Sequence, residues 1–182
     1  MVFISGTFDF SYLEKQFPGA ITKTIPSVTL MGGRGGTLVC HNRQVTATQK
    51  AAFQRLLGTS SKIVEVSEDQ LDDGADFTST FSAFIAAMMD QWAKAGIGSN
   101  GYSVEEALEL VLETLAGTAV LLTDKGFSPQ MVMDRVATKG GNTEQGLKVL
   151  DSELPSLFNA VFEATRKKRR ESKVATAKTV EK

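Results

Sequence analysis

The stretch that decides how this chain folds and what it can bind is Ala137-Thr138-Lys139-Gly140-Gly141-Asn142-Thr143-Glu144-Gln145-Gly146-Leu147-Lys148-Val149-Leu150. Asn142 followed three residues later by Gln145 is a capping-box pattern, which predicts a helix from Thr143. The two glycines before it have no side chains, so the free N–H groups and the positive dipole end of the helix can meet a carboxylate or a phosphate. The Thr143 hydroxyl adds a donor and an acceptor beside them. The same residues also fit an ordinary capped turn between two helices.

Length and composition place the chain among ordinary globular proteins. Its 182 residues are 42% apolar, which is enough for one domain with a sizeable core or slightly more. No apolar run approaches the roughly 18 residues of a membrane span, and residues 1–5 lack the basic start of a signal peptide. We therefore expect a soluble, cytoplasmic protein without a membrane partner.

The only cysteine, Cys40, and the only histidine, His41, are neighbours in the sequence. One cysteine permits no internal disulfide and no cysteine-based metal cluster, so we expect no metal site. Adjacent side chains of a strand point to opposite faces, which argues against a Cys-His nucleophile pair. We interpret this region as a half-buried strand.

Charge is distributed unevenly along the chain. Residues 166–182 carry eight Lys/Arg against two Glu, whereas residues 1–165 carry twelve Lys/Arg against nineteen Asp/Glu and so a net charge of −7. The run Arg166-Lys167-Lys168-Arg169-Arg170 fits a localisation signal or a nucleic-acid contact, but it lacks interleaved aromatic residues and the acidic body would repel phosphate. We predict no nucleic-acid partner and interpret residues 171–182 as a basic polar tail beyond a solvated helix end.

Up to about Val66, short strands alternate with short helices. The patterns predict strands at residues 2–5, 20–25, 37–40 and 62–66, and helices at residues 11–17 and 46–57. This order is typical of a doubly wound sheet, and the chain begins inside a strand. Residues 1–66 are therefore expected to form the C-terminal part of an incomplete Rossmann-like dinucleotide-binding domain.

From Ser67 onward the sequence predicts helices almost throughout. Five are expected, starting after Ser67, Ser103 and Ser128, at Thr143 and at Pro155. The first carries a stripe of large residues that packs in a core or interface or else lines a cofactor pocket, and we favour packing. The stripe consists of Phe77, Phe81, Phe84, Ile85, Met88, Met89 and Trp92. So much apolar helix beside a small sheet predicts burial against a second subunit.

One glycine pattern is misleading. The run Gly96-Ile97-Gly98-Ser99-Asn100-Gly101 has the dinucleotide-binding spacing Gly-x-Gly-x-x-Gly. The fingerprint works where it joins a strand to a helix, whereas here a long helix precedes it. We interpret it as a helix end and a turn, and residues 32–36 do not fit the spacing either.

Taken in order, these segments resemble the C-terminal two-thirds of a pyrroline-5-carboxylate reductase, from about Phe3 to Lys167. The strongest part is residues 139–150, similar to the family's Pro-Gly-Gly-Thr-Thr-x-x-Gly-Leu-x-x-Leu segment. Weaker matches follow the same order: Phe3-Ile4-Ser5 before Leu13-Glu14-Lys15, the strand Val39-Cys40 with Asn42, and Glu105-Glu106-Ala107 at the start of a long helix.

The resemblance implies an α/β partial Rossmann remnant followed by an all-α dimerisation and substrate-binding domain, residues 67–170. That domain is similar to the C-terminal domain of 6-phosphogluconate dehydrogenase. The resemblance also implies a homodimer through the helical domain, with a higher oligomer left open. In the family, NADPH or NADH passes a hydride to a cyclic imine and gives proline.

The resemblance further assigns roles to individual residues. The substrate carboxylate is expected on the amides of the glycine-rich turn, and Thr143 is expected to face the ring nitrogen as the catalytic candidate. The expected substrate-binding residues are Gly140, Gly141, Asn142 and Thr143. The cofactor-facing candidates are Pro26, Ser27 and Thr80.

The sequence departs from the family pattern where chemistry is expected. The family's Met-Pro-Asn-Thr-Pro is here Ile25-Pro26-Ser27-Val28-Thr29, and its Ser-Gly-Ser-Gly-Pro-Ala-Tyr is Thr78-Ser79-Thr80-Phe81-Ser82-Ala83-Phe84. Phe81 thus replaces a glycine, while Lys139 and Asn142 replace the proline and the first threonine of the turn. The family's glycine-rich cofactor loop has no counterpart in the sequence, so we expect this chain alone to reduce nothing.

Three functions stay open at this point. The first is a reductase whose cofactor half comes from elsewhere. The second is a non-catalytic carboxylate-binding protein. The third is a dimerisation or regulatory protein that keeps the helices and leaves the pocket empty.

Overall fold

The computed structural model describes residues 1–98 and 101–180, which contain four strands and seven α-helices. Strands β1 to β4 are Val2–Phe3, Thr22–Ile25, Gly36–His41 and Lys62–Glu65. Helices α1 to α7 are Phe10–Gln16, Ala47–Leu57, Glu68–Gly74, Ser79–Gly96, Val104–Thr123, Pro129–Val136 and Asn142–Val180. Two 3-10 turns lie at Val28–Gly32 and Ala75–Phe77.

The four strands form one mixed sheet in the order β1-β2-β3-β4. β1 runs parallel to β2, β3 runs antiparallel to β2, and β4 runs parallel to β3. Parallel neighbours need a crossover, which α1 and α2 provide. The predicted fold class, an α/β part followed by helices, is confirmed.

The core lies where α3 packs against β2 and β3. Leu38, Cys40 and Leu71 form its buried cluster. Lys23 of β2 is also buried, at 1% exposure. Its Nζ lies 2.9 Å from Glu68 Oε1 and 5.3 Å from the centroid of the Phe10 ring. Because a buried unpaired ammonium costs several kcal/mol, this ion pair ties the first turn of α3 to the sheet.

Contacts group the chain into two compact units. The sheet unit comprises Met1–Phe84 and Phe162–Lys182, and the helical unit comprises Ile85–Val161. Helices α4 and α7 therefore each contribute to both units. The boundary near Val66 marks a change from mixed to helical elements, and as a domain boundary it stays a prediction.

Two helix predictions are wrong. The helix after Ser67 is interrupted, because a 3-10 turn follows α3 and Thr78 leaves the helical backbone at φ −127° and ψ −94°. Pro155 lies inside α7 instead of opening a new helix. Pro155 is exposed, so the Asp151 carbonyl that receives no N–H from it can be solvated, and the helix continues.

The ends of two helices bear on further predictions. α4 ends at Gly96, where the sequence predicts a helix end, while Ser99 and Asn100 of that glycine pattern lie outside the described residues. α7 continues through Val180, beyond the residue at which the sequence predicts a polar tail. No helix of the described residues combines the length and the apolar character needed to span a membrane.

Candidate functional site

The turn before α7 requires both of its glycines. Gly140 has φ +75°, in the left-handed region that favours glycine. The Gly141 N–H donates to the Thr138 carbonyl at 2.9 Å, and a Cβ at Gly141 would lie 2.4 Å from Thr138 Oγ1. Gly140 is therefore fixed by its dihedral angle and Gly141 by the lack of space.

The capping of α7 differs from the prediction. The helix begins at Asn142, so Asn142 is the first helical residue and the predicted capping box with Gln145 is wrong. Glu144 caps the turn instead, because its Oε2 accepts the Gly140 N–H at 2.5 Å. This hydrogen bond, together with Lys148 at 3.4 Å, lowers the pKa of the Glu144 carboxyl. A carboxylate of the chain itself thus occupies one amide of the turn.

The remaining groups of the turn point to anion binding. The N–H groups of Asn142 and Thr143 lie in the first helical turn, where no intrahelical acceptor exists for them. Lys139, Asn142 and Thr143 are all exposed. Two amides, a hydroxyl and an exposed lysine thus lie at the positive end of a 39-residue helix, an arrangement that suits a carboxylate.

The predicted cofactor residues lie in the sheet unit. Pro26 and Ser27 follow the carboxyl end of β2. Ser27 is buried, and its Oγ accepts from the backbone N–H of Thr29 at 3.3 Å and from the Thr29 hydroxyl at 2.8 Å. Thr80 is half-buried in the first turn of α4. The Ser27 hydroxyl is therefore used within its own turn.

The start of α4 approaches the same end of the sheet. Ile25 pairs with Leu38 in the antiparallel β2–β3 ladder, so the residues after Ile25 run beside those before Leu38. A Cβ at Gly36 would lie 2.9 Å from Thr78 Cγ2, which brings Thr78 close to the β3 backbone. The structure thus places Pro26, Ser27 and Thr78 near the same end of the β2–β3 pair.

The strand–helix junctions of the described residues offer no open site for the phosphates of a dinucleotide. A phosphate needs a glycine-lined turn and free N–H groups at the helix start. At α1 the Phe10 N–H already donates to Glu68 Oε1 at 2.6 Å. The starts of α2 and α3 are closed by the capping boxes Thr46 with Gln49 and Ser67 with Gln70. These junctions do not fit the phosphates.

Cys40 and His41 have separate structural roles. Cys40 is buried, and burial raises the pKa of its thiol to about 11, so the thiol is protonated and unreactive near neutral pH. His41 Nδ1 lies 2.8 Å from Thr22 Oγ1, and burial lowers the pKa of this imidazole. Both observations fit the interpretation of a strand rather than a nucleophile pair.

Sequence reasoning missed a set of long-range contacts at the end of α7. Asp76 is 3% exposed, and Arg169 donates to its two carboxylate oxygens at 2.9 and 2.5 Å. The Thr165 hydroxyl donates to Asp76 Oδ2 at 2.8 Å, and Lys173 Nζ lies 2.8 Å from Asp72 Oδ2. The available signal was the four-residue spacing of Thr165, Arg169 and Lys173 beside that of Asp72 and Asp76.

The helical unit carries an apolar groove between α4 and α5. It measures about 410 Å³ and is lined by Met89, Trp92, Leu110, Val111, Thr114, Leu115 and Thr118. Among the described residues of this unit, Ala93 alone is buried. Helices with so much apolar surface and so little core need another surface to cover them.

Comparisons with known proteins identify one family. The family model described as pyrroline-5-carboxylate reductase dimerisation matches residues 68–172. The chain is 33% identical to pyrroline-5-carboxylate reductase 3 of Bacillus subtilis (strain 168), over 92% of this chain and 62% of that protein. It is 25% identical to ComE operon protein 4 of the same organism, over 98% of this chain and 65% of that protein.

Solved structures show the same fold. A 1-pyrroline-5-carboxylate reductase from Streptococcus pyogenes has a TM-score of 0.84 at 21% identity and covers 93% of this chain and 66% of its own. The pyrroline carboxylate reductase of Plasmodium falciparum, solved with NADP bound, has a TM-score of 0.81 at 24% identity. It covers 96% of this chain and 68% of its own. The chain spans 62% and 65% of the two Bacillus relatives. The resemblance found in the sequence is thus confirmed, and the chain belongs to the pyrroline-5-carboxylate reductase family.

Proposed function

We propose that this chain provides the dimerisation and substrate-binding part of a pyrroline-5-carboxylate reductase. The family reaction transfers a hydride from NADPH or NADH, with a proton, to 1-pyrroline-5-carboxylate and yields L-proline. The observation that carries the proposal is the turn before α7. Gly140 at φ +75°, Gly141 with no room for a side chain, and Thr143 in the first helical turn coincide with the segment that resembles the family's substrate turn.

The turn binds the substrate through its carboxylate. The N–H groups of Asn142 and Thr143 donate to the carboxylate oxygens, and Lys139 adds a positive charge beside them. Gly140 and Gly141 allow the carboxylate to approach the backbone, while the Thr143 hydroxyl faces the ring nitrogen and orients the imine. The exposure of Lys139, Asn142 and Thr143 supports this assignment, because the substrate needs an open approach.

The cofactor supplies the hydride in the family reaction. Pro26, Ser27 and Thr80 are the proposed cofactor-facing residues. Pro26 and Ser27 follow the carboxyl end of β2, and Thr78, two residues before Thr80, lies beside Gly36 of β3. The occupied starts of α1, α2 and α3 argue that these 182 residues do not hold the cofactor phosphates by themselves. We expect the purified chain to bind proline without reducing the imine.

A homodimer through the helical unit is part of the proposal. The groove between α4 and α5 is apolar, and large side chains beside it are open, with Trp92 57% and Leu110 55% exposed. A second copy of the same unit covers such a surface at no cost in buried charge. The description of the matching family model supports the same partner.

One set of observations favours a second candidate, a non-catalytic carboxylate-binding or dimerisation protein. Phe81 stands where the resemblance places a glycine and is 41% exposed, so its ring obstructs the close approach that a glycine permits. The capped helix starts point the same way. In this candidate the turn before α7 persists without hydride transfer.

Calorimetric titration with proline and with NADPH tests the proposal, alongside the mass of the protein in solution. We expect a dimer of twice 19.6 kDa that binds proline. Thr143→Ala is expected to weaken proline binding about tenfold, because a charge-assisted hydrogen bond is lost. The matched control is Thr59→Ala, an exposed threonine in the sheet unit, which should leave the affinity unchanged.

Each of the other outcomes contradicts a specific part of the proposal. Proline binding that Thr143→Ala leaves unchanged would place the ligand away from the turn. Tight NADPH binding would show that the chain does hold the cofactor phosphates, and turnover of the imine would then be expected. A dimer that binds neither ligand would favour the dimerisation protein.

A further inference from the structure

Within the sheet unit, the segment before the helical unit contacts the segment after it. The chain leaves the sheet unit after Phe84 and re-enters it at Phe162. The ring of Phe77, seven residues before the exit, has its centroid 5.6 Å from that of Phe162. The helical unit is therefore an insertion whose two connecting segments touch.

Beyond Phe162, one face of α7 is joined to the segment 72–77. Thr165 and Arg169 both bind Asp76, the guanidinium reaching both carboxylate oxygens and the hydroxyl reaching Oδ2. One helical turn later, Lys173 Nζ lies 2.8 Å from Asp72 Oδ2. Contacts at four-residue intervals on α7 thus match acidic residues at the same interval on the opposing segment.

Burial separates these contacts from ordinary surface ion pairs. The Asp76 side chain is 2% exposed and that of Arg169 is 22% exposed. A planar fork that donates twice to one carboxylate fixes orientation as well as distance. Removing either partner would leave a charge in a site from which water is largely excluded, which is strongly unfavourable.

Asp76 lies where the chain changes direction. It belongs to the 3-10 turn Ala75–Phe77, and the Thr78 N–H donates to the Ala75 carbonyl at 3.1 Å. Helix α4 begins one residue later, at Ser79. Holding the Asp76 carboxylate in place therefore also restrains the backbone turn from which α4 starts.

We propose that residues 162–176 form a clasp, which joins the two segments of the sheet unit between which the helical unit is inserted in the sequence. Within it Arg169 is a positioning residue, which acts through Asp76 on the turn 75–78 and sets the first turn of α4. The clasp needs neither substrate nor cofactor, so it goes beyond the proposed function. For the proposed function, this means that residues 162–176 help to fix the position of Thr80 and Phe81 in the first turn of α4.

Amide hydrogen exchange of the full chain tests the clasp. We compare the unmodified protein with Arg169→Ala and with the matched control Arg170→Ala, which removes the same type of side chain at the next, exposed position. Arg169→Ala is expected to speed exchange at least tenfold in both segments 75–84 and 162–176, while the reference helix α2 keeps its protection. Arg170→Ala should leave the exchange rates of both segments and of α2 unchanged.

Two results would overturn the proposal. Faster exchange in 162–176 alone would mean that the helix end rests on the sheet unit without positioning α4. Equal effects of Arg169→Ala and Arg170→Ala would mean that the fork to Asp76 has no special role. If Arg169→Ala does not fold, Asp76→Asn removes the charge and keeps the shape. It has the same expected result, and unchanged exchange in 75–84 would again overturn the clasp.

Discussion

The sheet unit and the helical unit bury their apolar residues in different ways. In the sheet unit Ile21 and Leu71 are fully buried, and even the ammonium of Lys23 lies inside with a partner. In the described part of the helical unit Ala93 alone is buried, while Trp92 and Leu110 are more than half exposed. The sheet unit therefore contains its own core, whereas the helical unit leaves all of its described large apolar side chains at least partly exposed.

The polar contacts differ in the same way. The sheet unit uses long-range contacts such as Asp76 with Arg169, 93 residues apart in sequence. The helical unit uses local ones, such as the capping box of Ser103 with Glu106 and the i,i+4 pair of Asp90 with Lys94. Local contacts stabilise single helices only marginally in water, so the helical unit depends on whatever covers it.

The largest effect is expected from truncating the core of the sheet unit. Leu71→Ala removes a fully buried side chain that packs against Leu38 and Cys40. Such a cavity costs about 2–5 kcal/mol in the free energy of unfolding, measured by urea denaturation. Leu56→Ala is the matched control, because Leu56 lies on α2 with 74% of its surface exposed. Equal losses from both variants would contradict the buried core described here.

The next effect concerns the surface of the helical unit. Leu110→Glu places a charge in the groove between α4 and α5 and is expected to weaken the proposed dimer. Central interface residues contribute about 2–4 kcal/mol, or roughly 30- to 700-fold in Kd. Sedimentation equilibrium measures the Kd, and the sole tryptophan, Trp92, gives a fluorescence check. Leu56→Glu, on the exposed face of the sheet unit, should leave the Kd unchanged, and equal effects would move the interface elsewhere.

The comparison also explains what the sequence could predict. The capping boxes at Thr46, Ser67 and Ser103 were readable because each involves residues three apart, and the structure contains all three. The glycine turn was readable for the same reason, since a left-handed Gly140 and a crowded Gly141 act within a few residues. Local physics determines these features, so a local pattern reveals them.

The features that sequence reasoning missed depend on distant partners or on exposure. The partner of Asp76 lies 93 residues away, and the matching four-residue spacings of the two segments do not identify which residues pair. Pro155 stays inside α7 because its side of the helix is exposed, which the sequence does not state. Asn142 does not cap α7, because the Gln145 N–H donates to the Gly141 carbonyl at 3.3 Å and the helix begins one residue earlier than predicted. In these cases a partner or an environment that the local pattern does not specify decided between two acceptable structures.

A pH titration of stability should single out Asp76 in the sheet unit. Burial alone would raise the pKa of this carboxyl, but the hydrogen bonds from Arg169 and Thr165 outweigh it and bring the pKa below its usual 3.8. The unfolded chain then binds the proton first as the pH falls, so the contribution of Asp76 is complete above about pH 5. It decreases progressively as the pH falls from there towards the lowered pKa of the folded state. Asp76→Asn should therefore cost about 1.5–3 kcal/mol near neutral pH.

That difference between the unmodified protein and Asp76→Asn should shrink as the pH falls from about 4 towards 3, as measured by urea denaturation at a series of pH values. Asp90→Asn is the control in the helical unit. It breaks a solvent-exposed i,i+4 pair with Lys94 and should change stability little at any pH. A difference for Asp76→Asn that stays constant down to about pH 3 would mean that the carboxylate is not held ionised by Arg169.

The smallest effects come from two equivalent caps, and they test the comparison most directly. Thr46 caps α2 in the sheet unit and Ser103 caps α5 in the helical unit, both by capping boxes. Replacement of either residue by alanine costs about 1 kcal/mol of helix stability. If the sheet unit folds on its own core, Thr46→Ala lowers the free energy of unfolding and leaves the dimer Kd unchanged.

Ser103→Ala should behave differently, because α5 belongs to the helical unit, in whose described part Ala93 alone is buried. We therefore expect α5 to become fully ordered only against a partner. Loss of its cap then appears as weaker association, with two caps lost per dimer and a Kd raised by roughly ten- to thirtyfold. If Ser103→Ala instead left the Kd unchanged and lowered only the stability of the monomer, α5 would fold without its partner. The exposed groove would then be a stable surface of the monomer. The two units would still differ in how much apolar surface they expose, but both would fold without a partner.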